Sequence, residues 1–111
     1  MRIIAGTKRG QPIAVPKGRD TRPTLDRVKE SLFGIIQFEI AGKTVLDLFA
    51  GSGNLGLEAL SRGAEHAVFN DAARESATAV RTNVEKLGFL RQSTIYSLDY
   101  RAAIQAAARA G

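Results

Sequence analysis

Thr44-Val45-Leu46-Asp47-Leu48-Phe49-Ala50-Gly51-Ser52-Gly53-Asn54-Leu55-Gly56 is the stretch that decides the fold. Thr44–Phe49 is almost wholly apolar and reads as a buried strand. Gly51 and Gly53 break it. Asn54–Arg62 then reads as a helix, with Leu55, Ala59 and Leu60 facing inward and Gly63 just past its end. Downstream, Ala67–Asn70 reads as a second strand. Arg74–Leu87 is a helix with Ala77, Val80, Val84 and Leu87 at helical spacing, ended by Gly88. Ser93–Ser97 is a third strand, and the Ala-rich Arg101–Arg109 a further helix. The order β-α-β-α-β-α implies a parallel sheet with right-handed crossovers. The expected class is α/β.

Upstream, Thr24 follows Pro23 and can cap a helix that runs to about Ile40, before Gly42. Val28, Leu32, Ile35 and Ile36 share one face of it, which is expected to point inward. Gly6, Gly10, Pro12, Pro16, Gly18 and Pro23 rule out a helix in residues 1–23. Arg2–Ala5 and Pro12–Val15 are expected to form a hairpin about a Thr7–Gly10 turn, standing outside the packed core. The chain thus divides into a hairpin arm, 1–23, and a domain, 24–111.

Charge follows the same division. The net charge is +5. Residues 1–22 hold Arg2, Lys8, Arg9, Lys17, Arg19 and Arg22 against Asp20 alone, so the remainder is neutral. A basic arm on a neutral domain suits a polyanion, or is simply a solubilising tail. With 44% apolar and 24% charged residues, the composition is that of a globular protein. The absence of Cys excludes disulfides and thiolate metal sites, and the single His66 argues against a His-based one. No apolar run approaches the roughly 20 residues of a membrane span. The first residues lack the apolar core of a signal peptide, which makes the cytoplasm the expected location.

Gly51-Ser52-Gly53-Asn54-Leu55-Gly56 matches G-x-G-x-x-G between a strand and a helix, a spacing shared by many nucleotide-binding loops and by plain tight turns. Asp47 narrows the choice. It lies near the carboxyl end of the first strand, where open α/β sheets bind ligands. A carboxylate there repels a pyrophosphate and suits a cationic ligand. S-adenosylmethionine (SAM) carries both an ammonium and a sulfonium. The competing role for Asp47 is a buried hydrogen bond to the loop amides. Asp71, ending the second strand, can accept from ribose hydroxyls or cap the helix after it. Asp99, after the third, can reach an adenine amine or stand as a solvated loop residue. Three carboxylates after three strands fit an adenosine with a cationic tail better than a dinucleotide.

Longer motifs resemble a known family. Arg22-Pro23-Thr24-Leu25-Asp26-Arg27-Val28-Lys29-Glu30-Ser31-Leu32-Phe33, the opening Met1–Gly10, Leu46–Gly53 and Gly56–Gly63 are similar to the RsmD family of bacterial 16S rRNA (guanine-N2)-methyltransferases. The resemblance implies a Rossmann-like, SAM-dependent methyltransferase fold, acting on the exocyclic N2 of a guanine in 16S rRNA or the 30S particle. It implies that Asp47, Phe49, Gly51 and Gly53, with Ala50 and Ser52 of the same loop, hold the methionine end of SAM. Asp71 would hold the ribose and Asp99 would lie at the adenine. Arg22 and Thr24 would border the pocket, and Lys8, Arg9 and Arg19 would contact rRNA. The family's Asp/Asn-Pro-Pro-Tyr/Phe motif, which positions the target amine, does not occur in the 111 residues. The catalytic residues are therefore expected beyond Gly111, and the chain is expected to be a cofactor-binding part, inactive alone. Two other readings stand beside this one: a nicotinamide-dinucleotide domain, supported by the glycine loop and Asp71, and a non-catalytic RNA-binding fragment, supported by the basic arm.

Overall fold

Three short runs, Thr44–Asp47 (β1), His66–Asn70 (β2) and Ser93–Tyr96 (β3), pair as a parallel sheet in the order β1-β2-β3. The computed structural model describes residues 1–15, 23–36 and 39–110. Pro23–Ile36 (α1) precedes the sheet, and Asn54–Ser61 (α2), Arg74–Leu87 (α3) and Tyr100–Ala110 (α4) follow its strands in turn. The alternation expected from the sequence is present. A 3-10 turn, Leu90–Gln92, which the sequence does not announce, leads into β3.

The register aligns Asp47 with Phe69 and Phe69 with Ile95. The side chains of Ala67 and Phe69 are fully buried, as are Leu57 on α2 and Val80 and Val84 on α3. Burying a side chain the size of Phe69 stabilises by roughly 1.5–3 kcal/mol. On the other face, Leu46, Val68 and Thr94 line a cavity beside Ala107 of α4. Gly88 ends α3 in the left-handed conformation that glycine adopts without strain.

Residues 1–15 form the expected hairpin. Arg2 and Pro12 make an antiparallel bridge, and the Ile3 amide donates to Gln11 O at 2.9 Å. The hairpin does not stand outside the core, however: Ile3 and Ile13 are buried in it. Glycine and proline shape the backbone there but say nothing about the two isoleucines between them.

The face of α1 is the second correction. The expected inward residues Val28 and Ile35 are 59% and 80% exposed, and Leu32 is exposed too. Of the expected four, Ile36 does pack against the core, and Lys29 and Phe33 are buried in place of the others. The helix is rotated by about one residue, because Lys29 finds Glu58 and Phe33 lies under the Arg62 guanidinium, 4.9 Å from the ring centroid. The helix also ends at Ile36, earlier than expected, and residues 37–38 lie outside the described residues.

Two smaller corrections concern the same side of the molecule. The strand stops at Asp47, with Leu48 and Phe49 in a turn, and Leu46 is exposed because β1 has a neighbour on one edge only among the described residues. Leu55 is exposed as well. Together, Leu32, Leu46 and Leu55 border an apolar groove between α1, β1 and α2.

Candidate functional site

The loop from β1 to α2 turns at Gly51 and Gly53, whose φ angles of 58° and 90° are left-handed. Gly56 is required sterically, since a Cβ there would collide with the Phe69 ring. That close approach seats α2 on β2 and brings the Gly56 amide to Asp47. It donates to Asp47 Oδ2 at 3.3 Å. Asp47 is buried. Burial pushes its carboxyl above the ordinary aspartate value; the nearby charge of Asp71 adds to this, and the Gly56 hydrogen bond opposes it.

Asp71 follows β2 and serves two backbone groups. Its Oδ2 accepts from the Gly51 amide at 3.0 Å and its Oδ1 from the Ala73 amide at 2.9 Å. It thus closes the turn before α3 while bracing the glycine loop. Each carboxylate oxygen can accept more than one hydrogen bond, so capacity for a ligand remains. Asp99 behaves as a helix cap. Its Oδ1 accepts from the amides of Arg101 (2.8 Å) and Ala102 (3.2 Å), and Arg101 Nη2 donates to Oδ2 at 3.3 Å. The Ala102 amide, followed by Arg101, holds its carboxyl below the ordinary value.

Asn70, which looks out of place in an apolar strand, is the keystone of this edge. Its buried side chain donates to Leu48 O at 3.2 Å and Leu98 O at 2.9 Å, and accepts from the Leu98 amide at 3.0 Å. The segments that leave β1 and β3 are thereby tied together over the end of β2. A signal for this is present in the sequence: an amide at the last position of an apolar strand must have partners. A consequence is that Phe49 and Tyr100, one on each tied segment, come side by side. Their ring centroids are 6.0 Å apart at 39°, and Phe49 is 74% exposed. The Arg101 guanidinium lies 5.6 Å from the Tyr100 ring centroid. Tyr100 and Arg101 are not among the site residues expected from the sequence.

The other expected residues divide. Ala50 and Ser52 turn their side chains inward, so what they can present to a ligand is backbone. Thr24 lies in the first turn of α1, with its side chain outside the described part; Arg22 and Arg19 also lie outside it. Lys8 and Arg9 sit in the hairpin turn, away from the carboxylates in sequence, where the Lys8 amide donates to Ser61 Oγ at the end of α2 at 3.0 Å. Among the described residues no helix is long and apolar enough to cross a membrane.

A parallel sheet with a glycine loop after its first strand and a carboxylate at or just past the end of each of three strands defines an α/β protein with the Rossmann-like fold of methyltransferases. A family model described as "Conserved hypothetical protein 95" matches residues 1–111. The proposed rRNA methyltransferase YlbH of Bacillus subtilis is 44% identical over 109 residues, which is 98% of this chain and 59% of that protein. Ribosomal RNA small subunit methyltransferase D of Haemophilus influenzae is 44% identical over 87 residues, 78% of this chain and 45% of that protein. Among solved structures, the proposed methyltransferase YhhF of Escherichia coli matches with a TM-score of 0.82 at 37% identity, over 92% of this chain and 55% of that one. The chain belongs to this family, the RsmD family of rRNA methyltransferases. It spans about half the length of the curated relatives it matches.

Proposed function

We propose that this chain is the SAM-binding part of a methyltransferase that modifies the exocyclic N2 of a guanine in 16S rRNA, on free rRNA or the 30S particle in the cytoplasm. The observation that carries the cofactor is Asp47. A buried carboxylate raised by burial and by the nearby charge of a second carboxylate is relieved by a cation, such as the ammonium of SAM, and would repel a pyrophosphate. That argues against the nicotinamide reading. Asp47 and the backbone of the 49–53 loop would hold the methionine end, and Asp71 the ribose. Asp99 and the Phe49–Tyr100 pair would take the adenine, whose flat face suits two adjacent rings. This moves the ring of Phe49 from the methionine end to the adenine. When bound, SAM supplies an electrophilic methyl group. The chain's residues bind and orient it, and alignment with the amine provides much of the rate. No residue described here is assigned to the amine.

Calorimetric titration with S-adenosylhomocysteine (SAH) and with NAD tests the cofactor. SAH should bind, NAD should not, and Asp47→Ala should weaken SAH by roughly 1.5–3 kcal/mol, the range for a hydrogen bond to a charged group. Binding of NAD without SAH would overturn the reading. For the substrate, 16S rRNA from a strain lacking the gene should miss one N2-methylguanine present in the parent, by mass spectrometry of digested nucleosides. Identical digests would exclude 16S rRNA as the target.

A further inference from the structure

The hairpin and the glycine loop share their supports. Glu58 on α2 is fully buried and accepts four hydrogen bonds. The amides of Ile4 and Ala5 donate to its two oxygens at 2.8 and 3.0 Å, Lys29 Nζ lies 2.9 Å from Oε1, and Arg62 Nε donates to Oε2 at 2.8 Å. Lys29 Nζ also donates to Arg2 O at 2.9 Å and to Asn54 Oδ1 at 2.6 Å. Asn54 is the residue after Gly53, so one buried ammonium joins the first hairpin strand to the end of the glycine loop. A second clip joins the other strand to the middle of it. Asn83 on α3 is fully buried; it accepts from the Ala14 amide at 2.9 Å and donates to Ala14 O at 2.8 Å and to Ser52 O at 2.9 Å. Near the hairpin turn, Ser61 at the end of α2 holds the amides of Thr7 and Lys8.

Neither partner is rigid by itself. A hairpin with one antiparallel bridge is marginal alone. A loop turning at two left-handed glycines has many other conformations open to it. Each is ordered by the same buried side chains. Undocking the hairpin would leave Lys29, Asn83 and Glu58 with buried polar atoms unpaired, which couples hairpin docking to loop order.

We propose that the hairpin is a positioning element of the cofactor site, with Lys29 and Asn83 as positioning residues, so that RNA bound at the hairpin and cofactor bound at the glycine loop strengthen each other's binding. This rests on the cofactor reading above and takes the basic Lys8 and Arg9 of the hairpin turn as the RNA contact. A ligand that binds only the docked hairpin removes part of the ordering cost that the cofactor otherwise meets. By reciprocity the cofactor raises RNA affinity by the same factor.

The test is SAH affinity by calorimetry with and without saturating oligo(U) RNA, and RNA affinity with and without saturating SAH. For the wild-type chain the two ratios should agree and reach at least roughly five-fold. Amide hydrogen exchange at residues 51–54 should slow when RNA alone is added, a response that mere structural support would not produce. Lys29→Met keeps the shape, leaves Glu58 paired with Arg62, and should bring the ratio close to one in a chain whose circular dichroism is unchanged. Asn83→Leu should do the same; if it does not fold, Lys29→Met carries the test. SAH binding with no change on adding RNA overturns this proposal alone, as does a Lys29→Met chain with the wild-type ratio. A wild-type chain that binds no SAH overturns the cofactor reading and this proposal with it.

Discussion

Asp47 shows how one residue can serve structure and ligand together. Its hydrogen bond to Gly56 fixes the start of α2, the structural role weighed against ligand binding in the sequence. Yet burial still holds the carboxyl above the ordinary value of 3.8. A group shifted this way takes up its proton at a higher pH than usual. If it must be ionised to hold an ammonium, SAH affinity should fall as pH drops through the raised value, and Asp47→Asn should flatten that dependence. Calorimetry at a series of pH values from neutral downward reads this directly. The stability effect has the opposite sense. A raised carboxyl contributes stability below its ordinary value, and that contribution is lost as pH rises through the raised one. Asp47→Asn should therefore not lower, and is expected to raise, the melting temperature at neutral pH. Asn70 makes the contrasting case, since no ligand role is assigned to it. Asn70→Leu would strand Leu48 O and the Leu98 amide and carbonyl, and should cost roughly 1–3 kcal/mol in urea denaturation.

Among the elements, α2 carries the most. Its amino end is set by the glycine loop, its buried face by Leu57 and Leu60, and its middle by Glu58. Burial alone would raise the Glu58 carboxyl, but the Ile4 amide, Lys29 and Arg62 outweigh it and hold the group below its ordinary 4.5. A lowered carboxyl contributes stability that is fully present above its ordinary value and lost as pH falls through the lowered one. Glu58→Gln should then destabilise by roughly 3–5 kcal/mol near neutral pH, because Lys29 is left buried without its counter-charge. The gap between variant and wild type in urea midpoint should narrow below about pH 4.5. A constant gap from neutral to strongly acidic pH would show that the ion pair contributes nothing.

For the molecule as a whole, the hairpin turn and the carboxylate edge are distinct surfaces on one core. Phosphate contacts supply affinity and register with little sequence information. Replacing Lys8, Arg9 and Arg19 with Ala should therefore weaken cognate and unrelated RNA about equally. The slope of log affinity against log salt should become shallower by roughly 0.7–0.9 units for each phosphate that is no longer neutralised. SAH affinity measured without RNA should not change, since Lys8 and Arg9 lie in the hairpin turn at the Ser61 end of α2 and the three carboxylates lie elsewhere in the chain. An identical salt slope in both proteins would reduce the basic segment to a solubilising one.

Element types, the glycine loop and the three carboxylates at strand ends were legible in the sequence because each is a local signal. Period, glycine position and strand length depend on neighbours a few residues away. Family membership was legible for the same reason, in the long motif from Arg22 to Phe33. The buried face of α1 was not. Two stripes compete there, Val28-Leu32-Ile35-Ile36 and Lys29-Phe33-Ile36, which share Ile36, and local apolarity favours the first. Only the tertiary structure supplies Glu58, whose charge makes burial of Lys29 possible and rotates the helix. Asn70 became intelligible in the same way, once Leu48 and Leu98 were seen to meet over β2. A buried polar group is decided by its partner, and these partners lie far away along the chain.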